Sequence, residues 1–300
     1  MENKNVFVAI ALSMAVLLFW GAFVEKPKPV SQNLSQQNLQ KNSKNENTVI
    51  SPTINETLEI KEVSREETVN KVDRIKIENN SIVGSISLQG GIIDDISFKN
   101  HKEDLKEKKN VTFLNPKETE DGFFVETGWT SIGNKIKVPT LNSIWNVIGN
   151  KTLSENQPIT LQWKNGEGIV FKKIIELDDK YLFKISQKIE NNSNATVALY
   201  PYAQITRNKV PDDIQNFYIS HEGFIGVFDE ELKEDDYDDI EENKLTREAS
   251  KGWFGITDKY WMAALVPEQG KSFKSTFLYQ EAFKANYIIN NSTTVKPSSN

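Results

Sequence analysis

The sequence predicts a mainly β protein: a sandwich of strands preceded by one transmembrane helix and a polar linker. Three features carry that prediction. From Val69 onward, apolar residues recur with period two, the repeat of a half-buried strand. Turn chemistry separates such runs, with Asn165-Gly166 and Asp178-Asp179 as the strongest hairpin signals. Finally, the one long apolar stretch with helical potential, Val6 to Val24, stands at the amino terminus, and no helical pattern of similar strength follows it.

Val6 to Val24, "VFVAIALSMAVLLFWGAFV", contains no charge. As a helix it reaches about 28 Å, close to the hydrocarbon thickness of a bilayer. Trp20 and Phe23 fall where an interfacial aromatic belt sits. The run is longer than the apolar core of a cleaved signal peptide and no A-x-A site follows, so residues 1–24 read as an uncleaved signal anchor. Lys4 lies on one side and Lys26 and Lys28 on the other, which leaves the positive-inside count nearly balanced. Residues 25–68 are rich in Lys, Gln, Asn, Ser and Glu, with Pro27, Pro29 and Pro52. They are too poor in apolar residues to form a core and read as a disordered tether spanning about 35–40 Å.

Residues 69–300 form the predicted body. In "YLFKISQKIE", Tyr181, Phe183, Ile185 and Ile189 share one face, and Lys184, Ser186, Lys188 and Glu190 the other. "SIVGSISL" places Ile82, Gly84, Ile86 and Leu88 together. "LQWKNGEGIVFKKI" and "FKKIIELDDKYLFKI" read as hairpins. "GWFGITD" and "YWMAALVP" read as two strands turning at Thr257-Asp258-Lys259, with Pro267 ending the second. Aromatics lie on both faces of that hairpin, so Trp253 and Trp261 are expected in the core.

Composition narrows the chemistry. The 300 residues include no Cys and only His101 and His221. Disulfides, thiolate zinc sites and cysteine nucleophiles are excluded, and a multi-histidine metal site is disfavoured. The net charge is −6, but Asp229 to Glu242 alone carries ten acids and one Lys, so the rest of the chain is at +3. That is no basic stripe for nucleic acid.

"GWFGITDKYWMAALVP" resembles the corresponding stretch of the YidC family of membrane protein insertases of Gram-negative bacteria. "SISLQGGIIDDISF", "LNPKETEDGFFVETGW", "VPTLNSIWNV", "LQWKNGEGIVF", "ELDDKYLFKI", "LYPYAQITR" and "HEGFIGV" stand in the family's order, so the resemblance spans essentially the whole chain. It implies an inner-membrane protein with a cytoplasmic amino terminus and a periplasmic body, a twisted β-supersandwich similar to mutarotase-like domains. The implied partners are nascent membrane proteins and components of the Sec translocon (SecYEG, SecDF), with no nucleic acid, cofactor or small-molecule substrate. The family's insertase activity lies in five further membrane helices. No second apolar run of spanning length occurs here, and "NNSTTVKPSSN" lacks the family's closing strands and short helix, so the body is expected to be truncated. The alternative is a membrane-anchored carbohydrate-binding or mutarotase-like module, and a third reading is a structural spacer.

No residue is assigned a catalytic, cofactor-binding or metal-binding role. Asp94-Asp95 is expected at a turn or strand end, because neighbours on a strand point to opposite faces and cannot act on one atom unless a bulge intervenes. Asp178-Asp179 is expected at a turn. His221-Glu222 offers the one pairing a mutarotase-like site needs, but it reads as polar contacts at a strand start. His101 is expected in an exposed charged loop. Asp229 to Glu242 lacks the Gly and spacing of an EF-hand and reads as a solvated loop. Arg207 reads as an exposed residue after a strand.

Overall fold

The computed structural model describes residues 12–14, 16, 63–104, 106, 108–132, 136–212, 214 and 221–298. Residues 12–14 and 16 are helical. The rest of the predicted anchor lies outside the described residues, as does the tether up to residue 62. No helix among the described residues is long and apolar enough to cross a membrane. Met1–Glu46 and Asn47–Asn300 form separate units, and the second holds every described strand.

The strands are β1 (Arg74–Glu78), β2 (Ile82–Ser87), β3 (Ile92–Lys102), β4 (Asn110–Leu114), β5 (Phe123–Thr130), β6 (Asn146–Ile148), β7 (Thr152–Leu153), β8 (Ile159–Lys164), β9 (Ile169–Leu177), β10 (Phe183–Asn191), β11 (Val197–Arg207), β12 (Gly223–Phe228), β13 (Glu231–Asp235), β14 (Leu245–Ala249), β15 (Gly252–Thr257), β16 (Met262–Leu265), β17 (Phe273–Gln280), β18 (Ala282–Ile289) and β19 (Thr293–Val295). Two short helices, α1 (Arg65–Val69) and α2 (Tyr237–Glu242), accompany them. An 11-stranded sheet runs β14-β17-β18-β11-β5-β3-β2-β1-β7, with β19 on β11 and β4 on β3. Two 4-stranded sheets run β10-β9-β8-β6 and β13-β12-β15-β16. The mainly β prediction holds, and one continuous core draws on all three sheets through residues such as Ile96, Phe171 and Phe254.

The predicted hairpins form for local reasons. Asn165 closes the β8–β9 turn by accepting the Glu167 and Ile169 amides at 2.7 and 3.0 Å, and Gly166 supplies a φ of 82°. Asp178 accepts the Lys180 and Leu182 amides at 2.9 Å in the β9–β10 turn. Tyr181, expected on the strand face, sits in this turn because β10 begins at Phe183.

Three expectations need correction. The acidic run is structured: Glu231 to Asp235 pair with β12, and Tyr237 and Ile240, three apart on one helix face, bury under α2. Order also begins before Val69. Ser64-Arg65-Glu66-Glu67 has the S-x-x-E spacing of a capping box, and Ser64 Oγ accepts the Glu67 amide at 3.2 Å to start α1. Lastly, Trp253 and Trp261 are only half-buried, while Phe254 and Ile256 carry the hairpin's core contact. The fully buried tryptophans are Trp129 and Trp145, stacked with ring centroids 6.5 Å apart.

Candidate interaction groove

A groove of about 390 Å³ opens between the turn ends of two hairpins. On one side stands the β9–β10 turn, with Tyr181 and Leu182 46% and 62% exposed. On the other stands the β15–β16 hairpin, with Tyr260, Met262 and Val266 75%, 42% and 62% exposed. The floor is the large sheet, through Ile96 and Phe98 on β3, Phe113 on β4 and Val125 on β5. No charged side chain lines the groove among the described residues. An exposed apolar surface of this kind marks a site of interaction more often than chemistry.

Aromatic contacts set the groove's shape. Phe98 lies 4.3 Å from Trp261, 5.3 Å from Phe113 and 5.6 Å from Tyr181, centroid to centroid. Trp261 therefore bridges core and groove, which is why it is half-buried. His101 ends the exposed part of β3, not a loop, and packs edge-on to Trp261 at 4.6 Å. Arg207 is also not exposed. It closes β11, stacks over Phe123 at 4.7 Å and reaches Asp258 in the β15–β16 turn at 2.5 Å.

The acid pair Asp94-Asp95 lies in the middle of β3, buried, at a bulge opposite Ser85 and Ile86. The bulge is the exception to strand alternation that the sequence reading allowed for, and the extra residue breaks the alternation of side chains. Gly84 makes room for it: a Cβ there would lie 1.8 Å from the Asp95 carbonyl oxygen. Each acid has its own guanidinium. Arg74 of β1 pairs with Asp94, and Arg65 of α1 pairs with Asp95. Ser85 Oγ links the two sets, accepting Arg74 Nε at 2.7 Å and donating to Asp95 at 2.5 Å. Burial pushes the Asp94 carboxyl up to about 7, outweighing the pull of Arg74. A small cavity of about 200 Å³ adjoins Asp94, lined also by Lys71, Lys117 and Glu118.

Lys173 went unremarked in the sequence, although it occupies the inward phase of "IVFKKIIEL" between Phe171 and Ile175. Fully buried, it donates to the Gly91 carbonyl at 3.1 Å and sits 4.6 Å from the Trp145 ring centroid. Burial lowers its ammonium to about 7, and Glu126 opposes that shift. The approach needs Gly91, whose Cβ would meet Trp145 Nε1 at 2.9 Å. Glu126 also accepts Gln204 Nε2 at 3.0 Å.

His221 and Glu222 stand just ahead of β12, at a strand start as expected. His221 Nε2 lies 2.9 Å from the Phe224 carbonyl oxygen, and Nδ1 lies 3.5 Å from Asp236. No cluster of three or more His, Asp or Glu that could hold a metal ion occurs among the described residues.

The fold and groove thus define a β-sandwich interaction domain. Residues 74–300 match the family model of the YidC periplasmic domain. The chain is 41% identical over 300 residues to the membrane protein insertase YidC of Pelagibacter ubique (strain HTCC1062), covering 100% of this chain and 53% of that protein. It is 34% identical over 291 residues to that of Cereibacter sphaeroides (strain ATCC 17029 / ATH 2.4.9), covering 93% and 46%. A galactose mutarotase related enzyme from Lactobacillus acidophilus aligns at 13% identity and a TM-score of 0.44, covering 76% of this chain and 94% of that one. The chain belongs to the YidC family, and it spans about half the length of the curated relatives it matches.

Proposed function

We propose that this chain is the amino-terminal part of a membrane protein insertase and chaperone, contributing an accessory periplasmic interaction domain. The observation that carries this reading is identity with a protein named membrane protein insertase YidC along the entire chain. On this reading Val6 to Val24 is a signal anchor with the amino terminus in the cytoplasm, residues 25–68 are a tether, and the body is a β-supersandwich in the periplasm. Its partners are nascent inner-membrane proteins and the Sec translocon. The domain has no enzymatic role.

Residues 1–300 alone do not insert proteins. Insertion requires a route that lowers the cost of carrying polar backbone through hydrocarbon, several kcal/mol for each unsatisfied group. One apolar run of spanning length offers no such route. The test is complementation of insertase-depleted cells with this chain stably expressed and membrane-anchored. The expected result is no rescue of growth and no insertion of a dependent substrate, with the body nevertheless co-purifying with Sec components. Rescue would place the insertion activity in these residues and sink the reading.

A further inference from the structure

Strands β14, β7, β10, β6, β13 and β16 end the three sheets. Sheet ends present unpaired backbone amides and carbonyls, and folded proteins blunt them with charge or brevity. Strands β7 and β6 are two and three residues long. Strand β14 carries Arg247 and Glu248, and β10 carries Lys184, Lys188 and Glu190. Strand β13, at the far end of the sheet that holds β16, carries Glu231, Lys233, Glu234 and Asp235. Strand β16 has no such protection: Tyr260 to Pro267 contains no charge. Among the described strands β16 pairs with β15 alone, and its bare edge borders the apolar groove.

We propose that this edge is a docking site for an extended, uncharged polypeptide segment, which adds to β16 as a further strand and lays alternate side chains onto Phe98 and Phe113. Two features select this occupant. The bare backbone edge calls for a ligand that carries its own amides and carbonyls, as a polypeptide does and a lipid tail does not. The groove has no charge to pair, so a charged residue seated in it would lose hydration without compensation. The alternation of exposed Met262 and Ala264 with buried Ala263 and Leu265 has the two-residue period an added strand would match. The inference rests on the edge and the groove, not on the insertase reading. Failure in the binding test below leaves the complementation result untouched, and the reverse also holds.

The test uses the full chain and a short, end-capped, fluorescein-labelled peptide of alternating Thr and Val, followed by anisotropy. A counterpart N-methylated at every second amide keeps the apolar surface but cannot complete a ladder. Loss of two or three backbone hydrogen bonds should weaken it about tenfold to a hundredfold. Ala264→Lys and Val266→Lys, at exposed positions, should weaken the parent peptide about tenfold or more. Leu232→Lys, on the opposite edge of the same sheet, should leave it unchanged. Equal affinity for the N-methylated peptide, or no effect of the two β16 lysines, overturns the proposal. So does flotation with phosphatidylcholine–phosphatidylglycerol vesicles that depends on Val266, which would assign the groove to a lipid surface. A dimer that Ala264→Lys dissociates would assign it to a second copy. Tighter peptide binding after deletion of residues 25–62 would assign it to the chain's own linker.

Discussion

Arg207 and Asp258 join two sheets: the last residue of β11 in the large sheet holds the turn of the β15–β16 hairpin through a 2.5 Å contact. The guanidinium also donates to the Lys209 carbonyl and lies over Phe123, so it is fixed before Asp258 meets it. Asp258→Ala should therefore cost about 1–3 kcal/mol, the range for losing a hydrogen bond to a charged, largely buried group. Urea unfolding will measure this. An unchanged midpoint would mean that the turn is held by other contacts, such as the 2.7 Å bond from the Asp258 amide to the Trp261 carbonyl.

Tryptophan truncations should separate core from groove. Trp145→Ala removes a fully buried ring stacked on Trp129 and is expected to cost about 3–5 kcal/mol. Trp253→Ala removes a half-buried one and should cost less than half as much, in proportion to the area already exposed. Equal losses in denaturant titrations would return Trp253 to the core.

Asp94 should make the fold sensitive to pH on the acid side of neutrality. Its folded carboxyl titrates near 7, above the ordinary 3.8. Between those values the folded state holds a proton that the unfolded state has released. Its contribution is complete below about pH 4 and is lost as pH rises through about 7. The stability difference between wild type and Asp94→Asn should shrink across that window. A difference that stays flat or grows would show that Arg74 keeps the carboxylate ionised throughout.

Lys173 should act in the opposite sense on the alkaline side. Its folded ammonium titrates near 7, below the ordinary 10.5. The unfolded chain binds the extra proton between those values, so stability rises with pH across that range. Lys173→Met should remove this rise, and near pH 7 it should cost little, because an apolar chain of similar length replaces a buried charge. Stability curves of wild type and variant that stay parallel from pH 7 to pH 10 would contradict this.

Strands and hairpins were legible because their signals are local. Asn165 and Asp178 shape their turns through amides two and four residues ahead. The charge network was not legible. The bulge at Asp94-Asp95 depends on pairing with β2, and Arg74 and Arg65 lie 20 and 30 residues from their partners. A signal for α2 was present in Tyr237 and Ile240, but the surrounding acids concealed it. Lys173 at an inward position was another readable sign. The groove could not be read at all, because its walls are turns of two different sheets, and no sequence pattern records their approach.

The pairing of Arg65 with Asp95 also has a mechanical consequence. Tension arriving through the chain ahead of Ser64 meets α1 and this ion pair before it reaches the β1–β2 ladder. If the pair yields, the five residues of α1 lengthen from about 1.5 to about 3.3 Å each, releasing roughly 9 Å of slack while every strand stays paired. The first turn of the folded body is placed to act as a fuse, giving way at low load and sparing the sheet behind it.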